Sequence, residues 1–157
     1  VPEAAVTLLV GLIGVAFALN LLLRRPVVAE AKRAEVAPGL IWGAVTGFTS
    51  FVSHAGAPPY QVYTLPLGMT KAVFAGTSTI AFAIINAVKL VPYSALGQLN
   101  LENLEMAAVL SLPAVIAVFA GVRLVRVMPE RLFFRLVTWA LLLISLKLIW
   151  DGARGLI

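Results

Sequence analysis

The sequence has 157 residues, of which 61% are hydrophobic and only 12% are charged. Soluble domains contain about 45–50% apolar and about 25% charged residues, and a short chain has too little interior to bury such an excess, so these values exclude a soluble domain and indicate an integral membrane protein. The net charge of +5 comes from basic residues in short patches between apolar runs, a pattern typical of membrane flanks and not of a nucleic-acid-binding surface.

The first predicted element is a transmembrane helix within residues 1–24. Its apolar run covers residues 4–23, and about 20 residues are needed to cross a hydrocarbon core of roughly 30 Å. The run lacks the basic start and the short apolar core of a signal peptide. Because the chain begins with Val1, we expect another segment to precede it. A basic linker, residues 25–35, follows.

A broken hairpin is predicted at residues 38–70. Pro58 and Pro59 lack N–H groups, and each disfavours helical geometry in the residue before it, so this segment should form two pieces, 38–51 and 59–70. Each piece would reach only about 20 Å, short of a full crossing. These lengths allow two arrangements. The pieces either continue through the membrane as one broken helix or fold back as a re-entrant hairpin.

The distribution of basic residues favours the hairpin. Folding back places nine of the 12 basic residues on one side and three on the other, whereas a broken crossing gives seven and five. Because basic loops are enriched on the cytoplasmic side, we predict an inner (plasma) membrane protein with its basic loops in the cytoplasm. The nine residues are Arg24, Arg25, Lys32, Arg33, Lys71, Arg123, Arg126, Arg131 and Arg135.

Three further transmembrane helices are predicted at residues 71–91, 106–127 and 132–150. Long apolar runs without strand-like alternation indicate helices, so the predicted fold is an all-α, polytopic membrane bundle with one broken, re-entrant hairpin. Residues 36–157 form one repeat. Its three crossings after the hairpin would place a similar preceding repeat in the inverted orientation, as in many transporters. We therefore expect the N-terminal half of the same protein as a partner, and a homodimer is possible.

Irregular backbone at membrane depth occurs only where protein covers it or where it lines a water-filled cavity, and residues 53–59 are predicted to form such a break. Gly56 allows unusual backbone angles and the close approach of a ligand. A half-helix opening near Pro59 would present free N–H groups and about half a positive charge, which together bind anions. The alternative is a structural kink satisfied by Ser and Thr side chains of neighbouring helices.

Polar side chains near the break are the candidate substrate ligands. His54 is the only histidine, and it can donate a hydrogen bond or carry a proton near neutral pH. Asn86 lies deep in an apolar run and is expected to face a cavity, whereas small polar residues such as Thr77 often only join helices. The predicted substrate-binding residues are Ser50, Ser53, His54, Gly56, Ala57, Gln61, Thr77 and Asn86.

The absence of acidic residues from the apolar runs limits the functions that the protein can have. No Asp or Glu lies inside any run, so carboxylate proton relays, carboxylate-bound cations and catalytic acid pairs are not expected. One histidine without cysteine predicts no metal or cofactor. Hydroxyls, amides and a helix N-terminus indicate a small anion as the transported substrate. Two other classes stay open: an intramembrane enzyme, which needs a nucleophile and a base, and a membrane scaffold subunit, which needs no broken helix.

Several motifs resemble the TauE/SafE family of sulfite exporters. They are GAVTGFTSFVSHAGAPPYQVYTLP from Gly43, VFAGTS from Val73, NAVKLVPY from Asn86, LGQL from Leu96 and KLIWDG from Lys147. The resemblance implies export of sulfite, organosulfonates or related oxyanions by a protein of two related halves, of which this chain would be the C-terminal half plus the preceding helix. One position departs from the family pattern, because Gly56-Ala57 stands where members usually have Gly-Gly.

Overall fold

A computed structural model of the protein describes residues 2–23, 31–97 and 100–156. Within these ranges the regular structure is helical throughout, with one 3₁₀ turn at Leu65–Leu67. The α-helices are α1 (Glu3–Leu23), α2 (Val36–Ser53), α3 (Ala57–Thr64), α4 (Lys71–Ala95), α5 (Leu101–Val127) and α6 (Glu130–Arg154). All except α3 are long and apolar enough to cross a membrane. The predicted all-α, polytopic membrane fold is confirmed.

Several helices exceed their predicted bounds. Helix α4 continues through Pro92 to Ala95, because a proline removes only one hydrogen bond and is tolerated within membrane helices. Helix α5 begins at Leu101, where the Oδ1 atom of Asn100 accepts a hydrogen bond from the N–H of Asn103 at 2.8 Å and caps the helix. The connection between α4 and α5 is therefore shorter than the sequence predicts.

The chain divides into two compact units. The first unit comprises Val1–Thr70 and Phe134–Ile157, and it contains α1, α2, α3 and most of α6. The second unit, Lys71–Phe133, contains α4, α5 and the start of α6. The break between α2 and α3 therefore belongs to the first unit.

Glycines allow α1 and α6 to pack closely and antiparallel in the first unit. A Cβ atom added to Gly152 of α6 would lie 2.6 Å from the backbone nitrogen of Leu8 in α1. A Cβ atom added to Gly11 would lie 2.8 Å from the backbone nitrogen of Ile149. Side chains would force the two backbones apart at both places, so this crossing depends on small residues, as membrane helix contacts often do.

Helices α2 and α3 form a hairpin, because α3 returns to the start of α2. The Tyr63 hydroxyl, near the end of α3, donates to the carbonyl oxygen of Glu35 at 2.9 Å, just before α2 begins. The N–H of Lys32 donates to the carbonyl oxygen of Pro66 at 3.0 Å. We call residues 31–35 and 65–68 the base of the hairpin. The chain thus adopts the fold-back arrangement and not the straight broken crossing, while the side of the membrane on which the base lies stays a prediction.

The second unit joins the start of α4 to the end of α5. The Lys71 ammonium group donates to the carbonyl oxygens of Arg126, at 3.0 Å, and Met128. The rings of Phe74 and Phe133 meet edge to face, with their centroids 6.0 Å apart. Helix α5 ends here because Pro129 holds Met128 in an extended conformation.

Candidate functional site

The break lies between Ser53, the last residue of α2, and Ala57, the first of α3. His54 has φ 53° and ψ 19°, in the left-handed region. Gly56 has φ −76° and ψ −21°, which are ordinary right-handed helical angles. The prediction that Gly56 supplies the unusual backbone conformation is therefore wrong. His54 supplies it, and histidine is one of the few residue types enriched in this region.

One carbonyl group closes the end of α2. The carbonyl oxygen of Thr49 accepts hydrogen bonds from the N–H of His54, from the N–H of Ala55 at 3.2 Å and from the Ser53 hydroxyl at 3.1 Å. The end of the helix is satisfied in this way without a glycine. Because the Ser53 proton is used within the chain, Ser53 does not direct a donor toward an anion in this conformation.

The start of α3 has fewer N–H donors than the sequence analysis assumed. The helix begins at Ala57, and the next two residues are the buried Pro58 and Pro59, which have no N–H. The N–H of Tyr60 donates to the carbonyl oxygen of Gly56 at 3.2 Å. The donors left at this end are the N–H groups of Gly56 and Ala57, whereas an ordinary helix offers about four. The positive end of the helix dipole remains.

The buried face of α2 is polar. Its buried residues are Thr46, Thr49 and Ser50, which lie three or four positions apart and therefore share one face. Several large apolar side chains of α2 are exposed on this chain, whereas Trp42, Val45 and Val52 are half-buried. The exposed ones are Val36, Leu40, Ile41, Phe48 and Phe51. A helix that turns hydroxyl groups inward and apolar groups outward is expected where lipid or apolar helices lie outside and a polar path lies inside.

Some buried polar atoms of the first unit have no hydrogen-bond partner: Oγ1 of Thr46, Oε1 of Gln61 and Oγ of Ser145. Other hydroxyls of the same helices are satisfied by their own backbone. Thr49 donates to the carbonyl oxygen of Val45 at 2.9 Å, for example. Leaving a buried polar group unsatisfied costs about 1–3 kcal/mol. In a native protein such atoms often indicate a site for water or a ligand.

Ser145 of α6 lies beside the start of α3. A Cβ atom placed on Gly14 of α1 would lie 2.1 Å from the Ser145 Oγ atom and 3.1 Å from the Cβ atom of Pro58. Gln61 follows Pro58 by about one turn and lies on the same side of α3. The break is thus surrounded by α1 and α6 as well as by α2. Ser145 is not among the residues predicted from the sequence, where its only signal was a lone hydroxyl within an apolar run.

The predicted site residues fall into both units. Ser50, Ser53, His54, Gly56, Ala57 and Gln61 lie in the first unit, on the hairpin. Ser50 and Gly56 are buried, whereas the His54 side chain is exposed. Thr77 and Asn86 lie on α4 in the second unit, and both are exposed. Their separation of nine positions puts them on opposite faces of a regular helix, and their assignment as substrate-binding residues stays a prediction.

A cavity of about 630 Å³ lies at the base of the hairpin, away from the break. Its walls are largely apolar and aromatic and include Phe17 and Trp42. Lys32, Arg33 and Glu35 also line it, which gives it a net positive charge.

The part of the chain that the structure describes contains no group of three or more His, Asp or Glu residues that could hold a metal ion. The sequence profile described as "Sulfite exporter TauE/SafE" matches residues 1–148. This match includes α1, which the sequence motifs alone did not cover. No curated protein and no solved structure matches the chain.

Proposed function

Because the chain belongs to the sulfite exporter TauE/SafE family, we propose that it exports a small sulfur oxyanion, either sulfite or an organosulfonate. The family consists of membrane transporters, and the five long apolar helices agree with this role. The observation that supports the proposal most directly is the inward-facing row of hydroxyls on α2, Thr46, Thr49 and Ser50. An apolar wall would exclude a hydrated anion, whereas hydroxyl groups can replace part of its water.

The proposed anion site is the break itself. The N–H groups of Gly56 and Ala57 and the positive end of α3 stabilise negative charge there. Ser50, His54 and Gln61 are the proposed side-chain ligands, and Thr46 joins them because its buried hydroxyl has no protein partner. No full positive charge is included, so the anion is held by dipoles and can leave again, as transport requires.

The cavity at the base of the hairpin is the proposed cytoplasmic vestibule. Lys32 and Arg33 would raise the local concentration of anions at its opening. Helix α2 has 18 residues and spans about 27 Å, so the vestibule and the break lie near opposite ends of one helix. We further propose that an N-terminal half of the same protein in the inner membrane completes the pathway, with Asn86 facing it, and that the transporter forms a homodimer.

The test replaces Gly56 with Val in the full-length protein and measures sulfite efflux from proteoliposomes. Valine tolerates the right-handed backbone of residue 56, but its side chain would fill buried space beside the N–H groups. We expect at least a tenfold loss of flux with an unchanged amount of protein in the membrane. Gly56→Ala, a smaller change, should give an intermediate loss.

Gly47→Val is the matched control, because a Cβ atom at this position of α2 meets no atom within 4 Å. It should transport at the parental rate. Parental flux in Gly56→Val would refute the assignment of the break as the anion site. Equal loss in both variants would point to general damage to the hairpin.

A further inference from the structure

We propose that Ser145 of α6 is an additional substrate-binding residue, whose hydroxyl donates a hydrogen bond to an oxygen atom of the transported anion. This inference rests on the proposed function, because it places Ser145 in the same site. It extends the site from the hairpin to a helix that the sequence motifs did not connect with the break. It also gives α1 a role, because Gly14 provides the space that the Ser145 hydroxyl occupies.

The Ser145 hydroxyl is buried without a partner. Its side chain is 0% exposed, and its Oγ atom forms no hydrogen bond. Thr138, two turns earlier on the same side of α6, shows the usual arrangement, since its hydroxyl donates to the carbonyl oxygen of Phe134 at 2.8 Å. Ser145 does not bond to its own helix in this way, so its proton is available for another acceptor.

Ser145 lies level with the middle of a membrane helix. Gly14 lies near the middle of α1, a helix of 21 residues that is long enough to cross the membrane. A Cβ atom on Gly14 would lie only 2.1 Å from the Ser145 Oγ atom, so this hydroxyl lies beside the middle of α1 and away from both of its ends. An unsatisfied hydroxyl is most unfavourable at this depth, where lipid supplies no hydrogen bonds. A bound anion, or water that the anion replaces, would satisfy it.

Ser145 also lies beside the proposed anion-binding end of α3. The same point on Gly14 lies 3.1 Å from the Cβ atom of Pro58, the second residue of α3. The hydroxyl of Ser145 is thus close to the positive end of that helix. An oxyanion has several oxygens, so it can accept from Ser145 and from the N–H groups of Gly56 and Ala57 at the same time.

The experiment measures the KM for sulfite in proteoliposomes with the full-length protein. Ser145→Ala removes only the hydroxyl and should raise KM about tenfold, the effect of losing one hydrogen bond to a charged ligand. Thr138→Ala is the matched control, because the Thr138 hydroxyl is satisfied within α6, and its KM should stay parental. Ser145→Cys keeps a weak donor of similar size and should give an intermediate KM.

A purely structural Ser145 predicts a different result. Removing an unsatisfied buried hydroxyl would then raise the melting temperature while leaving KM unchanged, and a parental KM in Ser145→Ala would overturn the inference. If the Ser145→Ala protein does not accumulate in the membrane, the KM of Ser145→Cys is compared with the parental KM instead. A parental KM in Ser145→Cys would then overturn the inference. Loss of flux in Gly56→Val together with a parental KM in Ser145→Ala would reject only the role of Ser145. Parental flux in Gly56→Val would reject the proposed site as a whole.

Discussion

His54 joins α2 to the break through a left-handed backbone conformation, and its side chain is exposed, so the backbone and the side chain can be tested separately. A left-handed conformation costs about 1–2 kcal/mol in a residue with a Cβ atom and almost nothing in glycine. Glycine also gains freedom in the unfolded chain, which offsets about 0.4–1 kcal/mol of this advantage. His54→Gly should therefore be about 1 kcal/mol more stable than His54→Ala.

Thermal unfolding of the purified full-length protein in detergent measures this difference. Position 43 on α2 supplies the control, because a Cβ atom on Gly43 meets no atom within 4 Å and the residue lies inside a helix. The Gly43→Ala variant should be more stable than the parent protein by roughly 1 kcal/mol. Alanine is therefore expected to be the less stabilising of the two residues at position 54 and the more stabilising at position 43. Finding His54→Ala at least as stable as His54→Gly would refute the left-handed conformation at the break.

Sulfite flux in the same variants tests the side chain. If the His54 imidazole contacts the anion, His54→Gly and His54→Ala should both lose flux despite their different stabilities. His54→Gln keeps a hydrogen-bond donor at this position, so it should retain more flux than His54→Gly or His54→Ala. Equal loss of flux in all three variants would show that hydrogen-bond donation by this side chain does not contribute to transport.

Two further predictions concern packing and topology. Gly152→Ala places a Cβ atom 2.6 Å from backbone of α1, so it should lower the free energy of unfolding by about 1–3 kcal/mol. Gly121→Ala is the control, because a Cβ atom at this position meets no atom within 4 Å, and it should not lower the free energy of unfolding. Equal destabilisation by the two substitutions would contradict the close α1–α6 crossing. The sequence has no cysteine, so single cysteines can report topology. In intact cells an impermeant thiol reagent should label Glu102→Cys but neither Lys32→Cys nor Arg126→Cys, and joint labelling of positions 32 and 102 would contradict the predicted topology.

The helices and the hairpin were predictable because the bilayer imposes simple conditions on the sequence. A helix must be apolar over its whole crossing length, so the apolar runs mark the helices directly. The adjacent Pro58 and Pro59 remove two N–H groups in succession, whereas Pro92 within α4 removes only one, so the pair marks the break. The distribution of basic residues then favoured folding back, which agrees with the contacts of Tyr63 and Lys32 at the base of the hairpin.

The details of the break depended on contacts that a sequence pattern does not contain. Glycine is the usual left-handed residue, so Gly56 was the natural choice, but the hydrogen bonds to the carbonyl oxygen of Thr49 place the reversal at His54. Ser145 could not be identified either, because its burial arises from the crossing of α1 and α6. The opposite faces of Thr77 and Asn86, in contrast, follow from their spacing alone.

The inward-facing hydroxyls of α2 also affect how the protein is made. Their presence leaves α2 with a mean hydropathy of 1.3, the lowest of the five long helices, whereas α1 has 2.5. During synthesis the translocon releases segments into lipid according to their apolar character, and α2 is the poorest candidate for release by itself. Helix α1 emerges from the ribosome before α2 and contacts both arms of the hairpin in the finished fold. It is therefore a helix against which α2 can pack as it enters the membrane, and we expect insertion of the hairpin to depend on a helix already in place.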